Sequence, residues 1–296
     1  MLTLKNNLLE ISIKTIGAEL CQIKSTKNNT NFMWNANQEI WANFAPNLFP
    51  IVGALKDGSY IFNNKKYSIP KHGFIRYNKD IKCIKETENS LTFLLQNNKN
   101  TEVNYPFKFN YYVIYTIENN ELTITYKVEN TDTKTIYFSV GGHPAFKCPV
   151  FKNEKYSDYN LIFEQDEISE TYLLDQESGL LSSKTKPIFT TKNSINLTPD
   201  LFNNDALIFK DLKSKQITLN SNKNGPVLTI KYKDYNYFGI WAKPKANFIC
   251  LEPWLGVTDY KNTNQELKNK DGIIKLSANK SFSASYKIEI HQAHLV

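Results

Sequence analysis

The stretch Phe109 to Asn130, FNYYVIYTIENNELTITYKVEN, sets the tightest limit on what this chain can fold into. It consists of two long runs of alternating apolar and polar residues across an ENNE turn. Alternation at period two is the mark of strands with one buried face. The pattern recurs along the chain. LLEISIKTIG alternates near its start, and SYIFNNKKYSIP sets two short aromatic runs around Asn63-Asn64, a hairpin signal. IYFSVGG follows the long pair as a third strand, QITLNSNKNGPVLTIKYK repeats the hairpin pattern around Asn224-Gly225, and SFSASYKIEIH adds a last alternating strand. Only Asn264 to Asn269 hints at a short helix. No linker, low-complexity segment or repeat of about 20–50 residues breaks the sequence, which argues against a propeller or solenoid. The expectation is all-β: one domain over residues 1–296, a large sandwich of mainly antiparallel strands with few short helices.

Several function classes fall away. The net charge of +7 raises nucleic acid as a partner, but the lysines are scattered among acids and Arg76 is the only arginine. No nucleic-acid partner is expected. No apolar run approaches the roughly 20 residues that cross a bilayer, and MLTLKNNLLEISIK lacks a secretory signal's apolar core, so no membrane association is expected either. Cys21, Cys83, Cys148 and Cys250 lie far apart without metal spacing, which reads as free thiols in a cytoplasmic protein.

Three stretches carry candidate chemistry. In SVGGHPAFKCP, Ser139 to Pro149, a strand runs into two glycines and then His143-Pro144. Pro144 pushes His143 towards an extended backbone, and an imidazole beside closely approachable backbone suits proton transfer. A turn histidine satisfied by hydrogen bonds is the competing reading. In FAPNLFPIVGALKDGSYIFNNKKYSIPKHGFIRY, Phe44 to Tyr77, His72 and Arg76 are four apart, on one face if the segment is a strand. The competing reading is an arginine paired with a surface carboxylate, but a lone arginine favours a forked contact that lysine cannot make. In YFGIWAKPKANFICLEPWLGVTD, Tyr237 to Asp259, Glu252 ends an apolar run just before Pro253-Trp254. A partly buried carboxylate there is a stronger base once ionised; a glutamate satisfied by strand-end amides is the alternative. Trp241 and Trp254 are either core or an apolar wall for a pyranose ring.

Together these stretches resemble the aldose 1-epimerase (galactose mutarotase-like) family, in particular its LacX-like branch. The resemblance spans essentially the whole chain and rests on NLFPIVG with HGFIR, GGHPAF, DALIF after Phe202, and IWAKP with LEPWLG. It implies a β-supersandwich whose concave face binds an aldose, and interconversion of α and β anomers without metal or organic cofactor. Carried onto this chain, Glu252 matches the general base that takes the anomeric hydroxyl proton, and His143 the general acid that protonates the ring oxygen. His72 matches a second histidine near the ring oxygen. Asp205 looks like the acid that grips ring hydroxyls. Arg76 is similar to the arginine that reaches a hydroxyl or, in phosphosugar members, a phosphate. The implied partner is a hexose, phosphorylated or not.

One departure stands out. LacX-like sequences tend to read LFPIVGRL, whereas this chain reads LFPIVGAL, with Ala54 at the arginine position. Lys56 is the candidate replacement, as a point charge rather than a fork, and tight phosphosugar binding is disfavoured. Two rivals remain: a sugar-binding or regulatory protein that kept the cleft, and a glycoside hydrolase, which needs two carboxylates and for which Asp205 or Asp259 would have to partner Glu252.

Overall fold

The structure is a computed structural model that describes residues Met1–Val296. The two alternating runs form strands Phe109–Glu118 and Glu121–Asn130, paired antiparallel from Glu121↔Glu118 to Asn130↔Phe109. Phe109, Tyr111, Val113, Tyr115 and Ile117 are buried from the first, and Leu122, Ile124, Tyr126 and Val128 from the second. Their intervening residues are half-buried or exposed, so the period-two pattern places one face on the core. Asn119 closes the turn at φ 52, a left-handed conformation asparagine tolerates. Asn63 and Asn64, at φ 51 and 60, close the predicted hairpin between Ser59–Phe62 and Lys65–Ser68.

These long strands sit in a nine-stranded sheet. Its order is Ser194–Asn196, Tyr159–Phe163, Gln216–Ser221, Gly225–Lys231, Ser281–Ile290, Glu121–Asn130, Phe109–Glu118, Ser90–Gln96, Lys82–Glu86. A second sheet, of eight strands, runs Leu181–Lys186, Thr171–Leu174, Leu207–Lys210, Tyr237–Trp241, Phe248–Leu255, Val140–Gly142, Asn47–Leu48, with Ala145–Lys147 also paired to Phe248–Leu255. The fold is the expected all-β sandwich of antiparallel sheets. The sheets meet over aromatic side chains: Phe49 stacks on Tyr111 at 4.3 Å, and Tyr126 donates to Asn47 Oδ1 at 2.8 Å. Strand Phe248–Leu255 is buried along nearly its whole length, which makes it the spine of the second sheet.

Local expectations fail where turn chemistry decides. The one α-helix is Lys99–Asn104, capped by Asn98, whose side chain accepts from the Asn100 and Thr101 amides. The Asn264–Asn269 segment gives only a 3₁₀ turn, Leu267–Asn269. IYFSVGG is not one strand: Ile136–Phe138 pairs with Ile274–Leu276, and Val140–Gly142 joins the eight-stranded sheet. All four cysteines are free, and no helix is long and apolar enough to cross a membrane.

A buried ion pair ties the loop after Leu48 to the end of the spine strand. Lys270 Nζ donates to Asp259 Oδ1 at 2.8 Å, with both side chains 4% exposed. Asp259 Oδ2 accepts the Lys56 amide at 3.0 Å, and the Asp259 amide donates to Ala54 O at 2.8 Å. Removing one partner leaves the other charge buried and alone. Lys270→Met is therefore expected to cost about 3–5 kcal/mol, read as a lower urea midpoint. A loss below about 1 kcal/mol would put the pair in the class of surface ion pairs.

Candidate active site

The register of the spine strand builds the centre of the site. Val140–Gly142 and Ala145–Lys147 both pair with it antiparallel, through Gly141↔Trp254 on one side and Ala145↔Cys250 on the other. The residue between those anchors, His143, therefore stands opposite Glu252. Pro144 has no N–H to donate, but its carbonyl accepts the Leu251 amide at 3.1 Å, so the ladder continues past the gap. His143 Nε2 lies 3.2 Å from Glu252 Oε2. The glycines before His143 are required by close approach: a Cβ on Gly142 would meet the Tyr286 hydroxyl at 2.4 Å, and one on Gly141 would meet Trp254 Cδ1 at 2.7 Å.

Glu252 is mid-strand and 1% exposed, more deeply buried than expected and not the strand-end glutamate of the competing reading. His143 is 9% exposed, and its Nδ1 has no hydrogen-bond partner, so packing holds the ring. Trp41 stacks on it at 5.1 Å and 25°, while His72 and Trp241 meet it edge-on at 5.5 and 6.1 Å. His72 sits at φ 67, and its Nδ1 accepts the Gly53 amide at 3.2 Å. That bond places the ring proton on Nε2, so a neutral His72 offers an N–H.

These groups open onto a cavity of about 240 Å³ lined by 16 residues. His72, Arg76, His143, Asp205, Trp241 and Glu252 all line it, gathered from four distant stretches of chain. Lys56 does not: its amide is held by Asp259, and its side chain lies outside the lining. Ala54 is also outside, with its amide donating to Thr258 Oγ1. Asp259, one candidate partner carboxylate for a hydrolase, is committed to Lys270. His72 and Arg76 converge for a different reason than strand periodicity. His72 is in a turn and Arg76 in the 3₁₀ turn Ile75–Tyr77. The Arg76 guanidinium lies 4.6 Å from the Tyr77 ring, and its buried Nε has no acceptor.

Burial pushes the Glu252 carboxyl well above the usual carboxylate range; the Lys71 charge and the Trp254 side chain pull the other way. Burial likewise pushes His143 down, to about 3, and His72 well below its ordinary value. Burial thus disfavours the charged form of each member of the pair. Cys250 Sγ, His143 and Glu252 offer donor atoms within 4.8 Å of one another. Burial pushes the Cys250 thiol up as well, so a metal there would have to displace protons from the thiol and the carboxyl. The cluster suits proton transfer.

The aldose 1-epimerase family pattern matches residues 1–271. The chain belongs to the aldose 1-epimerase family. Two LacX proteins of Lactococcus lactis subsp. lactis, plasmid and chromosomal, are each 33% identical to it over 295 residues, covering 97% of this chain and 98% of theirs. A galactose mutarotase related enzyme from Lactobacillus acidophilus superposes with a TM-score of 0.91 at 35% identity, covering 99% of this chain and 97% of that one. A galactose mutarotase-like protein from Lactobacillus casei gives 0.92 at 27%, covering 98% and 100%.

In this aldose 1-epimerase family member, sequence reasoning missed Trp41 and Lys71. Trp41 sits in NANQEIWANF, which has no strand periodicity; its place over His143 is fixed by Trp34 Nε1, which donates to its carbonyl at 2.9 Å. Lys71 precedes His72 and reads as a solvated lysine, yet its charge reaches His72, His143 and Glu252.

The buried carboxyl has a cost with a definite sign. An unfolded glutamate ionises near 4.5, whereas the folded one keeps its proton to higher pH. Above pH 4.5 folding must take up that proton, so stability falls as pH rises until the folded carboxyl ionises too. Glu252→Gln is expected to be more stable than wild type at pH 7, by about 1–2 kcal/mol, with the gain gone below about pH 4. Thermal unfolding at the two pH values checks this, and an equal gain at both would place the effect in packing rather than ionisation.

Proposed function

We propose that the protein is a mutarotase that interconverts the α and β anomers of a hexose by opening and closing its ring. The observation that carries this reading is the 3.2 Å approach of His143 Nε2 to Glu252 Oε2 at a monosaccharide-sized cavity. The anomeric hydroxyl and the ring oxygen are bonded to the same carbon. One base and one acid serving them must converge on nearly one point, as a cross-strand pair does.

Ring opening starts with Glu252 as carboxylate and His143 as imidazolium. Glu252 takes the proton of the anomeric hydroxyl while His143 protonates the ring oxygen, and the C1–O5 bond breaks to give the open-chain aldehyde. The pair is left as acid and neutral imidazole, the form burial favours. After rotation about C1–C2, the aldehyde presents its other face. His143 withdraws the proton from the O5 hydroxyl as that oxygen attacks C1, and Glu252 returns its proton to the carbonyl oxygen. The pair carries one proton throughout, so a turnover draws none from solvent. His72 offers its Nε2–H towards the ring oxygen, Asp205 and Arg76 take ring hydroxyls, and the Trp241 indole faces the apolar side of the pyranose.

Polarimetry on freshly dissolved α-D-glucose and α-D-galactose, with their 6-phosphates, tests this. Accelerated mutarotation is expected, with Glu252→Gln and His143→Asn each slower by about two orders of magnitude or more. The pH profile is expected to be a broad bell. Activity is lost at low pH where the pair gains a second proton, and His143's depression to about 3 moves that limb down. It is lost at high pH where the last proton leaves, and the raised Glu252 moves that limb up. A wild-type rate equal to buffer on all four sugars would leave a sugar-binding protein without turnover.

A further inference from the structure

Trp254, by its sequence either core or an apolar wall, has a polar edge that is unused. The residue is 4% exposed and lines the cavity, while its buried Nε1–H has no acceptor in the resting geometry. A buried donor left unpaired carries a desolvation cost, so its place needs a reason. The chain makes deliberate room for this ring. A Cβ on Gly239 would meet Trp254 Cη2 at 2.5 Å, and one on Gly141 would meet Cδ1 at 2.7 Å, so glycines on both neighbouring strands accommodate the indole. Trp254 and Glu252 are two apart on the spine strand and project from the same face. Glu252 Oε2 is likewise buried without a hydrogen-bond partner, and the Trp254 side chain pulls that carboxyl towards its charged form, against burial.

We infer that Trp254 is the positioning residue of the site: its indole N–H is held ready for the Glu252 carboxylate and accepts no other duty. The inference rests on Glu252 being the base of the proposed reaction. The carboxylate that opens the sugar ring is disfavoured by burial, and a pre-placed donor stabilises it without a second full charge. The titratable and charged groups around the carboxyl are His143 across the strand pair, Cys250 two residues before it, Asp205, Lys71, and the His72 and Arg76 turn. Of these, His143 gives up its proton during ring opening, and Lys71 is an exposed side chain screened by solvent. Trp254 is the dry, uncharged donor.

The test is Trp254→Phe, which keeps an aromatic ring and deletes the donor. Its partner is 3-benzothienylalanine at position 254, which keeps the bicyclic shape without an N–H. In both, kcat/KM on the pH plateau is expected to fall about tenfold, chiefly through kcat. The basic limb should move up by about one pH unit, because ionising Glu252 has become harder. The acidic limb, where the carboxyl is already protonated, should stay in place. Infrared titration of the free protein gives a readout independent of turnover: the carboxylic acid band that disappears in Glu252→Gln should persist about one unit higher in both variants. Unmoved limbs and an unmoved band, with or without lost activity, would overturn the role and leave Trp254 a wall. A shifted band in a protein whose wild type accelerates no mutarotation would sustain the donor and overturn the reaction instead.

Discussion

The pairing of Val140–Gly142 and Ala145–Lys147 with one strand is the constraint on which the site depends. Because side chains alternate, a slip of one residue in that register would turn Glu252 and Trp254 into the core and bring Leu251 and Pro253 to the cavity. The register is anchored on both sides of His143, by Gly141↔Trp254 and by Ala145↔Cys250. It is further pinned by the His143 amide donating to Pro46 O at 3.1 Å and the Ala145 amide donating to Phe44 O at 2.9 Å. Each residue of GGHPA then has a physical task. Gly141 clears the Trp254 ring, Gly142 clears the Tyr286 hydroxyl from the opposite sheet, His143 faces the carboxyl, and Pro144 lends only its carbonyl.

Such a centre is expensive to bury, and the surrounding structure is arranged to hold it. An ionisable carboxyl at 1% exposure and an imidazole with an unpartnered Nδ1 would repack or admit water in a loose setting. Here they lie against a core of 70 contiguous buried residues, rich in tyrosine and phenylalanine from the nine-stranded sheet. The cavity wall opposite is made of loops, and loops need ties. Gly53 and His72 bond reciprocally, the amide of each meeting a ring nitrogen or carbonyl of the other. Thr258 and Ala54 do the same through Thr258 Oγ1, and Lys270 with Asp259 closes the strap beneath them. Ordered secondary structure places the His143–Glu252 pair, and side-chain hydrogen bonds place the loops around the cavity.

That division explains what could be read from the sequence. The strands were legible because a half-buried strand writes its geometry directly as alternation, most clearly in Phe109–Asn130. The pair His143 and Glu252 was legible as two candidates, and the family resemblance joined them; their cross-strand opposition was not, since register is a property of two distant stretches. The loop side was harder. Lys56 looked like a rim charge from its place after Ala54, yet its amide is spent on Asp259 and its side chain lies outside the cavity. His72 and Arg76 reach one cavity through a left-handed turn and a 3₁₀ turn, which four-residue spacing on a strand does not describe. Trp41 had no periodic signal at all, because it is set in place by a hydrogen bond from Trp34 and by stacking on His143.

The same division separates chemistry from selectivity. In the proposed reaction the carboxyl and the imidazole, 3.2 Å apart, act only on the anomeric hydroxyl and the ring oxygen, so nothing in the pair distinguishes one aldose from another. In that reaction discrimination falls to the polar groups of the opposite wall and rim: Arg76 with an unpaired Nε, Asp205 at the entry of its strand, and Lys71 at the mouth. Each is carried by a turn or a strand end rather than by the spine. Substitutions there can retune which sugar is held while the register that fixes Glu252 against His143 stays intact. Ala54 lies behind that wall, outside the cavity lining, and its backbone bonds to Thr258 and Asp259 hold the wall's shape whatever its own side chain.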